Sequence, residues 1–230
     1  MGGGGFSMEP RNRRLDLWLL SLTRRKRPRV LFVPTASGDA RSYVARFHRA
    51  FAAHHCTPAH LDLFHRKLVD LRTHLLAQDL IYVGGGNTAN MLAVWQVHGV
   101  DRILREAWQS GVVLCGLSAG AICWFESGVT DSFGTALQPL AGGLSLVPGS
   151  FCPHYDGEAS RRPAYRQLVA SGKLSPGHAA DDGVALLFEG SSLADVVTSR
   201  RGRSGYRMER ARGDGRETPL PARLLPPPRA

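Results

Sequence analysis

The stretch that decides the fold is Val112-Val113-Leu114-Cys115-Gly116-Leu117-Ser118-Ala119-Gly120-Ala121-Ile122. Residues 112–117 form a nearly continuous apolar run, the pattern of a strand buried on both faces rather than one half in water. Small residues follow, and a helical segment is expected over Ala121–Phe125. Working outward, Arg29–Pro34 and Asp79–Val83 read as further buried strands, while Ala40–His55 and Thr88–Ser110 carry helical periodicity and good helix formers. Alternation of strand and helix predicts an α/β fold with a mostly parallel sheet covered on both faces. Shorter strands are expected at Gly183–Phe188, Asp195–Val197 and Tyr206–Glu209. The chain of 230 residues, 43% hydrophobic, suits one domain over 1–223 with a proline-rich tail at 224–230.

In sheets of this kind ligands bind beyond the carboxyl ends of the strands, and two glycine-rich turns fall there. Gly116-Leu117-Ser118-Ala119-Gly120 fits G-x-S-x-G between a strand and a helix. A serine at the tip of such a turn takes strained backbone angles, and its neighbours must be small for the turn to close. The second turn, Gly84-Gly85-Gly86-Asn87-Thr88, lacks the Lys-Ser/Thr ending of a P-loop and the spacing of a dinucleotide site. With Ser118 as nucleophile, the N–H groups of Gly86 and Ala119 are candidate oxyanion donors. A serine hydroxyl needs a base, and the base an orienting acid. Of nine histidines, His154 stands out in Phe151-Cys152-Pro153-His154-Tyr155-Asp156-Gly157, where a strand-like run ends in a turn; His178 is expected in a Pro-Gly loop. Asp131, Asp181 and Asp182 are candidate acids that the sequence alone does not rank.

Composition narrows the rest. The formal charge of +10 concentrates at Arg11–Arg14, Arg24–Arg29 and Arg200–Arg216. No aromatic residues interleave there as a nucleic-acid stacking platform requires, so no nucleic-acid partner is expected. Cys56, Cys115, Cys123 and Cys152 show no metal-ligand spacing and no implied disulfide. Neither a metal nor a cofactor is called for. No apolar run is long enough to span a bilayer, and no secretory signal is visible, so no membrane partner and a cytoplasmic location are expected. Met1-Gly2-Gly3-Gly4-Gly5-Phe6 reads as the loop after a first strand that is not there; the expectation is a start codon placed too far downstream.

GGGNT (84–88), GLSAGA (116–121), PHYDGE (153–158) and DDG (181–183), with GGGGFSMEP (2–10) and RPRVLFVPTASGD (27–39), together resemble the peptidase E family. That resemblance runs from Gly2 to about Arg210. It implies a three-layer sandwich like the class I glutamine amidotransferases, and a cytoplasmic serine peptidase acting on short peptides, best known for dipeptides with an N-terminal aspartate. It further implies Ser118 as nucleophile, His154 as base, Asp131 as the family's acid, Gly86 and Ala119 as oxyanion positions, and Asn87 as a substrate contact. Asp182 stands where the family usually carries glutamate, so whether Asp131 or Asp182 orients His154 stays open. Arg161 or Arg162 would bind an acidic substrate side chain. A monomer or homodimer is expected. The alternatives are a cyanophycinase-like hydrolase of aspartyl-arginine polymer, a general esterase, or a non-catalytic binding module.

Overall fold

The unbroken apolar runs become the most deeply buried strands. A computed structural model describes residues 1–211 and 214–228. The first half contains α1 (Gly5–Met8), α2 (Arg14–Leu22), β1 (Arg29–Val33), a 3-10 turn at Thr35–Ser37, α3 (Arg41–Ala52), β2 (Thr57–His60), α4 (Leu71–Leu76) and β3 (Leu80–Val83). It closes with α5 (Thr88–His98), α6 (Val100–Gln109) and β4 (Val113–Gly116). Strands β2-β1-β3-β4 form one sheet in that order, every neighbouring pair parallel.

Side chains of β1 alternate between two cores, as a period of two demands. Val30 and Phe32 enter a cluster with Phe6, Leu15, Phe47 and Phe51 from α1, α2 and α3. Leu31 and Val33 enter another with Leu75, Trp95 and Leu104 from α4, α5 and α6. Phe32 stacks on Phe47 at 4.7 Å, and Phe47 on Phe51 at 4.5 Å. Each such buried ring contributes about 1.5–3 kcal/mol by leaving water. Helices therefore cover both faces, which gives three layers around a parallel sheet.

The second half is more mixed than expected. It comprises α7 (Ala119–Ile122), β5 (Phe125–Thr130), β6 (Gln138–Ala141), β7 (Val147–Cys152), α8 (Arg161–Ala170), β8 (Gly177–Ala180), β9 (Val184–Glu189), β10 (Ser192–Thr198), β11 (Ser204–Arg210), β12 (Gly215–Pro221) and β13 (Arg223–Leu224). One sheet runs β12-β11-β8-β7-β5-β6 and a smaller one β13-β10-β9. β5, β7 and β8 are mutually parallel through β7, whereas β6, β11, β12 and the β9–β10 pair are antiparallel. Parallel pairing thus governs the site-bearing strands, not the whole molecule.

Four local expectations need correction. The segment 88–110 is two helices, because Gly99 adopts a left-handed φ of 69° and ends the first. The helix after Ser118 starts at Ala119 and stops at Ile122, while Phe125 already opens β5. His178 lies in β8 rather than a loop, its ring packed near Phe125 and Phe188. The proline-rich tail begins inside the fold: Leu224 pairs with Thr198, and Leu225 is buried. Residues 229 and 230 of that tail lie outside the described residues.

Candidate active site

Five candidate residues share one placement. Gly86 follows β3, Ser118 follows β4, Asp131 follows β5, His154 follows β7 and Asp182 follows β8, each just past the strand's carboxyl end. Since β3 and β4 run parallel, as do β5, β7 and β8, each group of strand ends opens on one edge of its sheet. The N-terminal segment ties the two sheets together: the Met1 amine donates to Gly116 O at 2.9 Å, and Gly3 forms a parallel bridge with Asp182.

In the turn between β4 and α7, Ser118 has φ 54° and ψ −121°. L side chains avoid this region, which costs of order 1–3 kcal/mol. Only five described non-glycine residues have positive φ, and His154, at 52°, is another of them. The turn closes because its neighbours lack bulk. A Cβ on Gly116 would meet Gly120 O at 2.1 Å, and one on Gly120 would meet Val83 O at 2.3 Å. A Cβ on Gly85 would stand 3.1 Å from Ser118 Cβ, so the two glycine-rich loops lie against each other.

Those loops present free donors. Gly84 N–H donates to Val33 O, Gly85 N–H to the Tyr43 hydroxyl, Asn87 N–H to Ala36 O and Gly120 N–H to Leu117 O. Between them, the N–H groups of Gly86 and Ala119 have no acceptor among the described residues. Helix α7 is a single turn, so it adds little helix dipole beyond the Ala119 N–H itself.

His154 Nδ1–H donates to Asp182 Oδ1 at 2.7 Å, both side chains 12% exposed. Burial by itself would raise the Asp182 carboxyl. The hydrogen bond and charge of His154, with Arg200 and Arg203 behind, outweigh burial and hold it below its ordinary value. The Asp182 N–H donates to Asp156 Oδ1 at 2.7 Å, and Arg203 pairs with Asp156. Asp181 faces the other way, accepting from Ser204 N–H at 3.0 Å. No hydrogen bond joins Ser118 Oγ to His154 among the described residues; catalytic contacts are often long before substrate arrives.

A cleft of about 330 Å³ opens at Ser118, lined by Gly86, Asn87, Asp131, Ser132, Glu158 and Arg161. Asp131 is exposed here, and the acid on His154 is Asp182. Arg161 is 3% exposed; its Nε donates to Glu158 at 2.7 Å and one terminal nitrogen to Val129 O at 3.0 Å. Arg162 does not line this cleft. Its Nε donates to Glu217 at 3.0 Å, and its guanidinium lies over the Tyr155 and Tyr206 rings. The Asn87 side chain caps α5 through Asn90 N–H at 2.8 Å and donates to Ser132 O at 3.0 Å. Ser132 escapes a sequence reading, yet its hydroxyl accepts from Thr88 N–H at 2.9 Å and so locks the Asp131 loop to α5.

A larger apolar cleft of about 500 Å³ lies between β4 and β9, and neither Ser118 nor His154 lines it. Among the described residues no group of three or more His, Cys, Asp or Glu side chains is arranged around a metal position, and no helix is long and apolar enough to cross a membrane.

Comparison with known proteins adds four findings. Residues 1–196 match the family described as peptidase family S51. The chain is 52% identical over 227 residues to uncharacterized peptidase YgaJ of Bacillus subtilis (strain 168), covering 98% of this chain and 97% of that one. It is 31% identical over 153 residues to peptidase E of Shewanella denitrificans, covering 63% and 62%. In three dimensions it resembles the crystal structure of a peptidase from an acI-B1 Actinobacterium, with a TM-score of 0.70 at 21% identity, covering 96% and 92%.

Proposed function

Since the chain belongs to peptidase family S51, we propose that it cleaves short peptides through Ser118, with His154 as base and Asp182 as the acid that orients it. The observation that carries this reading is the 2.7 Å contact between His154 Nδ1 and Asp182, made beyond the carboxyl ends of β7 and β8, which the N-terminal segment ties to the end of β4 just before the strained serine turn. An imidazole whose Nδ1–H is held by a carboxylate has the tautomer that leaves Nε2 free to accept a proton.

In this mechanism Ser118 Oγ attacks the peptide carbonyl carbon while His154 Nε2 takes the hydroxyl proton. Negative charge gathers on the carbonyl oxygen, and the N–H groups of Gly86 and Ala119 donate to it. The carbon–nitrogen bond breaks as the imidazolium returns its proton to the leaving amine. Water then attacks the acyl-serine, again losing its proton to His154, and the acid product departs. Asp182 stays ionised throughout.

Arg161 supports preference for an acidic first residue. Its guanidinium is held in the cleft wall by Glu158 and Val129, and its second terminal nitrogen has no partner among the described residues. A planar fork fixed in this way suits a carboxylate. Turnover of dipeptides with varied first residues, by wild type and Ser118→Ala, tests the function. Hydrolysis falling on the order of 10³-fold or more in the variant is expected; equal turnover by both proteins defeats it.

A further inference from the structure

We infer that the apolar cleft between β4 and β9 is the seat of a β-strand, filled by an extended apolar segment of about five residues joined to the nitrogen of Met1. Lying parallel to β4 and antiparallel to β9, that segment merges the two sheets into one. Both flanking strands are sheet edges: β4 ends the order β2-β1-β3-β4, and β9 ends the order β13-β10-β9. An edge carries unpaired N–H and C=O groups that a further strand can take up. Val113 and Leu117 donate their N–H groups to Asp79 O and Val83 O on the β3 side, so the alternate Leu114 N–H faces the cleft. On β9, Val184 O accepts from Gly2 N–H, and the backbone groups of Leu186 and Phe188 share that direction.

The amino end of the chain shows the register. Met1 N donates to Gly116 O at the end of β4, at 2.9 Å, and Gly2 N–H donates to Val184 O at the start of β9, at 3.1 Å. Successive nitrogens that serve opposite neighbours are the pattern of a central strand, so β4 and β9 stand one strand apart here. β4 runs toward Met1 and β9 runs away from it, and together they line the cleft over 112–116 and 185–190. The walls are apolar on both faces, with Trp18 and Leu22 on one side and Trp124 and Phe151 on the other. β3 is buried throughout, whereas Leu114, Leu186 and Phe188 are only half-buried. Charge favours a segment continuous with Met1 over a separate peptide. The Met1 amine is enclosed, a carbonyl is its one hydrogen-bond partner among the described residues, and burial pushes it down to about 6. A peptide N–H at that position makes the same bond with no charge to desolvate. Since Gly3 bridges to Asp182, a strand in this seat also braces the Ser118 turn against the His154–Asp182 pair.

Hydrogen exchange tests this on the 230-residue chain and on forms extended ahead of Met1. In the 230-residue chain the amides of Leu114, Leu186 and Phe188 should exchange on the order of 10²-fold faster than those of Leu31 and Ile81, which lie in strands paired on both sides. Extension by Met-Thr-Val-Ile-Val-Ala should slow the three cleft-side amides on the order of 10²-fold and raise the melting temperature by about 5 °C or more. A Met-Ser-Gly-Ser-Gly-Ser extension should do neither, and proline in place of the isoleucine should cancel most of the gain. Cleft-side amides as slow as Leu31 in the 230-residue chain, or equal effects of the apolar and polar extensions, overturn the inference. So does protection that rises with protein concentration alongside a dimer in sedimentation, because a second copy then holds the cleft. Where the apolar form aggregates, the comparison within the 230-residue chain decides.

Discussion

Replacing Asp182 with asparagine keeps the side chain's size and removes its charge. In the structure this carboxylate meets His154 Nδ1 at 2.7 Å in a largely enclosed pair. Two losses follow. A hydrogen bond to a charged partner contributes about 1.5–3 kcal/mol, which is roughly 10- to 10²-fold in rate. An asparagine that turns its NH₂ toward Nδ1 also selects the tautomer whose Nε2 already bears a proton and cannot take one from Ser118; that substitution in another serine triad costs about 10⁴. The expected fall in kcat/KM is therefore about 10²- to 10⁴-fold, carried by kcat. Asp131→Asn, the same change made at an exposed position of the cleft wall, should leave kcat within about threefold of wild type. The assay is continuous release of leucine from Asp-Leu. Asp182→Asn within about threefold of wild type, with Asp131→Asn down by about 10² in kcat, would refute the reasoning by exchanging the two acids. Stability gives a second reading. Asp182 is held below its ordinary value, so its ionised form stabilises the fold. That contribution is present above about pH 4 and fades as pH falls through the folded value. The variant should lose melting temperature at neutral pH and far less in strong acid.

Gly86→Ala should lower both stability and activity. Gly86 has φ 140°, and its new Cβ would stand 2.1 Å from Ala36 O, so the backbone must move and carry the oxyanion N–H with it; a loss above about 1 kcal/mol in denaturant unfolding is expected. Arg162→Ala should cost at most about 1 kcal/mol, since its own side chain is half exposed, and should leave KM unchanged. Arg161→Ala, by contrast, should raise KM for peptides with an acidic first residue. Asp16 is buried beside Phe6 N–H, at 3.2 Å, and burial pushes its carboxyl up to about 7. The folded state then binds more protons than the unfolded one between about pH 4 and pH 7, so stability falls as pH rises through that window. Asp16→Asn should raise the melting temperature at pH 8 and change it little at pH 4; the opposite order contradicts the burial argument.

The first sheet and the Ser118 turn are legible because their signals are local. Beyond the exposed Arg29, Arg29–Val33 is apolar throughout, as are Leu80–Val83 and Val113–Gly116, and Gly116 and Gly120 mark close backbone approaches that no side chain tolerates. Strands β5, β7 and β8 are harder to read. Phe125–Thr130, Val147–Cys152 and Gly177–Ala180 contain glycine, proline and small residues, so pairing across the sheet, not propensity, makes them strands. Gly177 is needed because a Cβ would meet Ser150 O at 2.0 Å across the β7–β8 pair, a reason visible only in three dimensions. The break at Gly99 follows a known helix-ending signal and is hidden by the good helix formers on either side of it. The choice between acids is a matter of tertiary geometry: Asp131 and Asp182 are alike as sequence, and only the return of β8 beside β7 sets one of them against His154. Arg161 and Arg162 divide for a similar reason, since neighbours in a helix point in different directions.

The proposed chemistry requires the Ser118 hydroxyl to be activated by His154, and covalent labelling by a fluorophosphonate measures that directly. Peptide mapping should find one adduct, on Ser118, formed on the order of 10²-fold more slowly in His154→Ala. An unlabelled protein, an adduct on another side chain, or equal labelling rates in the two proteins would contradict it.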